Sequence, residues 1–188
     1  ASDEKINANQ ELRDMIEALG CGTRKEYNEA SLRYEKIIIM TDADVDGAHI
    51  ATLLMTFFFK EMPELIEDGH LFLAMPPLYR IVQGSKSEYA RDDLHKEELM
   101  EKVFTGRGTI EVSRFKGLGE MPAKQLKETT MDPAKRILLR ITVPSSLSDD
   151  DLIERRETNR LVEDLMGKKP EKRFRFIQDN ARFAEDLD

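Results

Sequence analysis

Leu12, Met15, Ile16 and Leu19 recur at helical spacing, and Gly20 follows where helices commonly end in the left-handed conformation, so residues 4–19 are expected to form a helix. A turn-rich stretch, 20–34, leads into Lys36-Ile37-Ile38-Ile39-Met40-Thr41. This β-branched run without alternation is the pattern of a strand buried on both faces of a parallel sheet. It runs straight into Asp42-Ala43-Asp44-Val45-Asp46-Gly47. Beyond that turn, Ile50, Leu53, Leu54, Phe57 and Phe58 spread around much of a helix, which is expected to pack on the sheet. Residues 64–69 close a second short helix and residues 71–75 read as the next buried strand, completing a strand–helix–strand crossover.

Pro76-Pro77 forces an extended break before residues 78–82, which alternate as a strand, and the first folded unit is expected to end there. Residues 92–104 then read as a helix, 109–115 as a strand, 122–130 as a short helix and 137–143 as another strand. Ser148 with Asp150 and Asp151 caps a long charged helix that ends near Gly167, and a last amphipathic helix starts near Pro170. The expected organisation is an α/β unit over 1–82 and a mixed α/β tail with C-terminal helices over 83–188.

The 188 residues, 40% of them hydrophobic, suffice for one or two folded units, and the 35% charged content is that of a globular chain. The longest apolar runs, 37–40 and 53–59, are too short to cross a bilayer and no secretory pattern opens the chain, so a cytoplasmic protein without membrane contact is expected. Cys21, the single cysteine, excludes an intramolecular disulfide and a cysteine-rich zinc site, and reads as a small residue in a turn between Gly20 and Gly22. A net charge of −8 argues against a coat for nucleic acid. Any such contact must be local, and two stretches are locally basic: 114–127, and Lys168, Lys169, Lys172, Arg173 and Arg175. Charge alone makes either a solvated face.

The acidic turn carries the sharpest chemistry. Asp42, Asp44 and Asp46 stand where a buried strand gives out, which is the edge at which open α/β sheets bind ligands. Two carboxylates about 4 Å apart repel by roughly 4 kcal/mol at an effective dielectric near 20, so a cation belongs among them. All-oxygen donors without neighbouring His or Cys favour a hard ion such as Mg²⁺. Three other readings compete. A calcium loop shares the D-x-D-x-D-G opening, but its twelfth position here is Leu53 where a bidentate Glu is needed, and a strand precedes it. A Mg²⁺-dependent phosphatase of the haloacid-dehalogenase class also ends a strand in D-x-D with a nucleophilic first Asp, yet Pro-Pro stands where its later acidic pair belongs. A turn that merely favours the helix dipole explains one carboxylate and leaves two unexplained.

A second patch is Arg114-Phe115-Lys116-Gly117-Leu118-Gly119-Glu120-Met121. Two glycines around a leucine let the backbone approach another group closely, and the adjacent cations suit phosphates. The same pattern also fits an ordinary glycine turn. His49, one turn into the helix after the acids, could face the same ligand or simply be a polar surface residue.

Together these segments carry a resemblance. Thr41 to Gly47 with His49-Ile50, then Pro76-Pro77-Leu78-Tyr79, then Lys116 to Met121, then Glu128-Thr129-Thr130-Met131-Asp132-Pro133 resemble, in order, the C-terminal half of bacterial type II DNA topoisomerase B subunits. Asn9 to Leu12, Ala18 to Gly20 and the late Phe176 to Ala181 extend the likeness over the whole chain. Tyr79-Arg80-Ile81 and the lack of a long insertion after residue 91 resemble the topoisomerase IV branch more than the gyrase branch. The resemblance implies a Toprim fold, with a Rossmann-like parallel sheet lacking its N-terminal strand, that binds Mg²⁺ beside a scissile phosphate. It implies Asp42 and Asp44 as metal ligands and Asp46 as the third acid of the metal site; Gly47, Gly117 and Gly119 are expected to be structural turn residues from their positions in the sequence. His49 and Lys116 are implied near cleaved DNA, with Arg136 as a further phosphate contact; Arg114 is expected to bind DNA from its place beside Lys116. The family's Glu, in a Glu-Gly-Asp-Ser-Ala motif, and its Arg-Gly-Lys loop are expected upstream and are not in this sequence. ATP binding is expected only in the full-length protein, and the nucleophilic tyrosine on a partner A subunit of an A2B2 heterotetramer. The chain by itself is expected to cleave no DNA.

Overall fold

The computed structural model describes residues 6, 8–144 and 148–181. Its elements, in chain order, are α1 (Gln10–Leu19), β1 (Ile37–Ile39), α2 (Val45–Glu61), α3 (Pro63–Glu67), β2 (Leu71–Ala74), β3 (Tyr79–Gln83), β4 (Lys86–Ala90), α4 (Asp93–Lys102), β5 (Glu111–Arg114), α5 (Ala123–Leu126), β6 (Leu138–Arg140), α6 (Asp149–Met166) and α7 (Pro170–Asn180). Contacts divide the described chain into two compact units. One comprises the residues up to Ile37, Leu53–Leu71 and the residues from Ile141 on; the other comprises Ile38–Thr52 and Phe72–Arg140.

In the first unit, α1 begins where the Asn9 side chain accepts a hydrogen bond from the Leu12 amide. It ends at Gly20, whose φ of +76° needs no Cβ and whose amide bonds to the Ile16 carbonyl. Residues 4, 5 and 7 of the expected helix lie outside the described residues. Cys21 is more than a turn residue: it is 1% exposed, and burial pushes its thiol up from the ordinary value. Leu65 and Met62, both 0% exposed, and Phe58 at 1% form this unit's core. Burying each such side chain contributes roughly 1.5–3 kcal/mol. Glu61 is buried too and is held by a 2.7 Å ion pair with Arg24. Ser148 caps α6 by accepting from the Asp151 amide, as its sequence predicts. Two cations of the late basic run are engaged within this unit: Lys172 pairs with Asp164, and Arg173 donates to the carbonyls of Leu165 and Gly167.

The second unit holds most of both sheets. β1, β2 and β6 lie side by side in that order; β1 and β2 form the parallel pair of the crossover, while β6 runs antiparallel to β2. The sheet is therefore mixed, where its first two strands alone predicted a parallel one. β6 covers three residues of the expected 137–143, because its partner β2 is only four residues long before Pro76-Pro77 breaks the ladder.

The second sheet has the order β4-β3-β5, all antiparallel, with Tyr79 opposite both Ala90 and Arg114. Its core is Tyr79, Ile81, Ala90 and Phe104. β4 was not expected from the sequence, which shows a mostly polar Lys-Ser-Glu-Tyr-Ala stretch. Gly84, at φ +60°, makes the hairpin turn that pairs it with β3. Of the apolar residues expected on α2, Phe58 is buried while Ile50 and Leu53 are exposed. Ala51 and Phe58, seven residues apart on one face, are 5% and 1% exposed, whereas Ile50 and Leu53, which point away from that face, are 50% and 49% exposed.

Candidate metal centre

Asp42, Asp44, Gly47 and the Gly117–Leu118 backbone come together in the second unit. β1 delivers the chain to Asp42, and the turn folds back so tightly that a Cβ on Gly47 would lie 2.1 Å from the Asp42 carbonyl oxygen. Only glycine fits there. Asp44 caps α2: its Oδ1 accepts from the Gly47 amide at 2.6 Å, and its carbonyl accepts the helix's first bond, from Ala48, at 2.9 Å. Asp46 is exposed in the first turn of that helix.

The Asp42 carboxylate is held from another part of the chain. Its Oδ1 accepts a 2.7 Å hydrogen bond from the Leu118 amide. Gly117 packs so closely that an added Cβ would stand 2.9 Å from Asp42 Oδ2. Gly117 has an extended backbone, φ −158° and ψ 171°, so crowding and not torsion requires glycine at this position. A Cβ at Gly119 would meet nothing within 4 Å. The loop is anchored at both ends by buried residues, Phe115 and Met121. Between them the Glu120 carboxylate accepts from the Lys116 amide at 2.9 Å.

Asp42 and Asp44 thus each commit one oxygen to a backbone amide and keep the other, Oδ2, without a hydrogen-bond partner among the described residues. This all-oxygen pair fits Mg²⁺, which takes one or two carboxylates and completes its shell with water. Among the described residues Asp42, Asp44 and Asp46 do not form a group of three whose carboxylate oxygens all lie within 4.8 Å of one another. Among the described residues the one group of three such side chains within 4.8 Å is Glu29, Asp68 and His70, in the first unit. There His70 Nδ1 bonds to the Glu35 carbonyl at 2.8 Å, Nε2 lies 3.2 Å from Glu29 Oε1, and Tyr27 donates to Asp68. Sequence reasoning misses this group because its members are up to 41 residues apart.

The remaining candidates lie in the second unit. His49 is exposed on α2, and Lys116 is exposed in the glycine loop. Arg114 ends β5 with its guanidinium 5.9 Å from the Tyr79 ring centre. Arg136 is half-buried, its amide bonded to the Asp132 carbonyl at 2.8 Å. Leu118, whose amide holds Asp42, was missed, since a backbone donor leaves no mark in composition.

Comparison with known proteins decides what this arrangement belongs to. Residues 3–76 match the Toprim domain model, and residues 107–178 match that of the DNA gyrase B subunit, carboxyl terminus. The chain is 62% identical over 188 residues to the DNA topoisomerase 4 B subunit of Bartonella bacilliformis, covering 100% of this chain and 26% of that protein. This chain belongs to the type II DNA topoisomerase B-subunit family. It is 63% identical over 189 residues to the DNA topoisomerase 4 B subunit of Caulobacter vibrioides, again 100% of this chain and 26% of the relative. To the DNA gyrase B subunit of Treponema denticola it is 46% identical over 181 residues, 96% of this chain and 27% of that protein. The chain spans about a quarter of the length of these relatives. Within the family the topoisomerase IV reading is favoured over gyrase. No helix among the described residues is long and apolar enough to cross a membrane.

Proposed function

We propose that this chain forms the Mg²⁺-binding half-site at which an ATP-dependent type II topoisomerase, of the topoisomerase IV kind, cleaves and rejoins DNA. The observation that carries the reading is the pair Asp42 and Asp44. Each is fixed by a backbone amide through Oδ1 and keeps Oδ2 for an ion. When bound, Mg²⁺ supplies Lewis-acid stabilisation to phosphodiester oxygens that gain charge. The chain's own residues hold and orient: Leu118 fixes Asp42, Gly47 fixes Asp44, and Asp46 adds negative potential beside them. Lys116 and His49 contact the DNA backbone near the cut, with Arg114 and Arg136 as further phosphate contacts.

Residues 1–82 serve as the Toprim domain and 83–188 as the tail. The family matches to 3–76 and 107–178 support a boundary between them. The complete protein binds ATP through parts outside this chain, pairs with an A subunit that supplies the nucleophilic tyrosine in an A2B2 assembly, and relaxes and decatenates DNA in the cytoplasm. The chain alone is inactive. The test uses the full-length B subunit reconstituted with its A subunit. Asp42→Asn and Asp44→Asn are each expected to lose Mg²⁺-dependent DNA cleavage while ATP hydrolysis persists. Undiminished cleavage by both variants overturns the reading, and turnover of a small phosphate ester by this chain alone, abolished in Asp42→Asn, would support a phosphatase in its place.

A further inference from the structure

In the segment from Phe115 to Met121 the ends are buried, Phe115 at 9% and Met121 at 6% exposed, Gly117 and Leu118 are half-buried, and Lys116, Gly119 and Glu120 are exposed. What shapes it between those anchors is a short set of internal hydrogen bonds. The Glu120 amide donates to the Gly117 carbonyl at 3.2 Å and the Met121 amide to the Leu118 carbonyl at 3.2 Å, both long, whereas the Lys116 amide donates to Glu120 Oε2 at 2.9 Å. The last is the shortest of the three and closes the loop across its base. The product of that closure is one directed donor, the Leu118 amide, 2.7 Å from Asp42 Oδ1. Without it the carboxylate is free to rotate, and Oδ2 has no fixed direction.

We propose that Glu120 is a positioning residue for the metal centre: its carboxylate holds the loop that aims the Leu118 amide at Asp42, and so sets the site's affinity for a divalent cation. The inference rests on the reading that Asp42 and Asp44 hold the ion. Glu120 touches neither the ion nor DNA in this scheme; it acts through two backbone amides. Its role is therefore one of geometry and not of charge. Gln at this position, with an acceptor oxygen at the same reach, substitutes for it, while Ala does not.

The test is a Mg²⁺ titration of the intact chain followed by amide resonances of residues 42–48 and 116–119. Glu120→Ala is expected to raise the Mg²⁺ midpoint about tenfold, the size of effect typical when a residue that orients a ligand is removed. Glu120→Gln should stay near the parent chain, and the dispersed resonances of β3, β4 and β5 should be unchanged in both. Equal midpoints for the parent and Glu120→Ala overturn the proposal, as does a Gln variant as weak as the Ala variant, which would assign the effect to charge. If Glu120→Ala loses the dispersed resonances, the comparison passes to Glu120→Asp, one methylene shorter, with the same weakening expected and an unchanged midpoint again overturning the proposal. Asp42→Asn separates this from the underlying reading. Loss of saturable binding in Asp42→Asn alongside a normal Glu120→Ala removes only the role of Glu120, whereas unchanged binding in Asp42→Asn removes the metal centre itself.

Discussion

Gly117 leaves no room for a side chain beside Asp42: a Cβ there would stand 2.9 Å from both Cγ and Oδ2 of that carboxylate. Because the Gly117 backbone is extended, alanine fits its torsions and strains only the contact. Gly117→Ala is therefore expected to keep the fold and its unfolding midpoint while weakening Mg²⁺ binding about tenfold, through displacement of Asp42. Calorimetric Mg²⁺ titration beside a urea unfolding curve checks both halves.

Gly47→Ala should behave in the opposite way. Its Cβ would meet backbone, the Asp42 carbonyl oxygen at 2.1 Å and carbon at 2.8 Å, and backbone in a capped turn has no rotamer to change. Overpacking of this kind costs about 1–3 kcal/mol. Urea unfolding should show that loss of stability, and a variant as stable as the parent would show that the turn is loose.

Asp44 has two tasks that substitution can separate. Asparagine keeps an oxygen for the Gly47 amide and so keeps the cap on α2, but removes the charge; alanine removes both. Asp44→Asn is expected to retain stability and lose Mg²⁺ binding, and Asp44→Ala to lose binding and about 1 kcal/mol of stability as well. Thermal unfolding of the pair, with and without Mg²⁺, reads the difference.

His70 makes the stability of the first unit depend on pH. Its hydrogen bond to the Glu35 carbonyl, and then Glu29, raise its pKa above the ordinary 6.5, partly opposed by burial. A raised folded value means that the protonated ring stabilises the fold. The contribution is full below about pH 6.5 and is lost as pH climbs through the higher folded value. In urea unfolding from pH 5.5 upward, the stability advantage of the parent over His70→Gln should shrink with rising pH, and a constant gap would contradict the assignment.

Much of this was legible in the chain. The run Ile37–Ile39 ending in Asp42-Ala43-Asp44-Val45-Asp46-Gly47 gave strand, turn and helix, because a β-branched run and apolar residues at helical spacing are local signals. The Gly20 stop and the Ser148 cap were legible for the same reason. β4 escaped because its Lys-Ser-Glu-Tyr-Ala sequence lies on an edge strand, where pairing with β3 and not apolar content makes the strand; Gly84-Ser85 between the two was the available hairpin signal. The outward face of Ile50 and Leu53 could not be read from a helix apolar on several sides, since only tertiary packing chooses which stripe is buried. Nor could the grip of Leu118 on Asp42, 76 residues away, because a backbone amide has no sequence signature. The paired glycines hinted at a close approach, and only Gly117 makes one.

The most direct measurement replaces Mg²⁺ with paramagnetic Mn²⁺ and records which amide resonances of the intact chain broaden first. With the ion held by Asp42 and Asp44, residues 42–48 and 116–119 broaden together, and Asp42→Asn abolishes the effect. Broadening centred instead on Glu29, Asp68 and His70, with residues 42–48 left sharp, would contradict that placement.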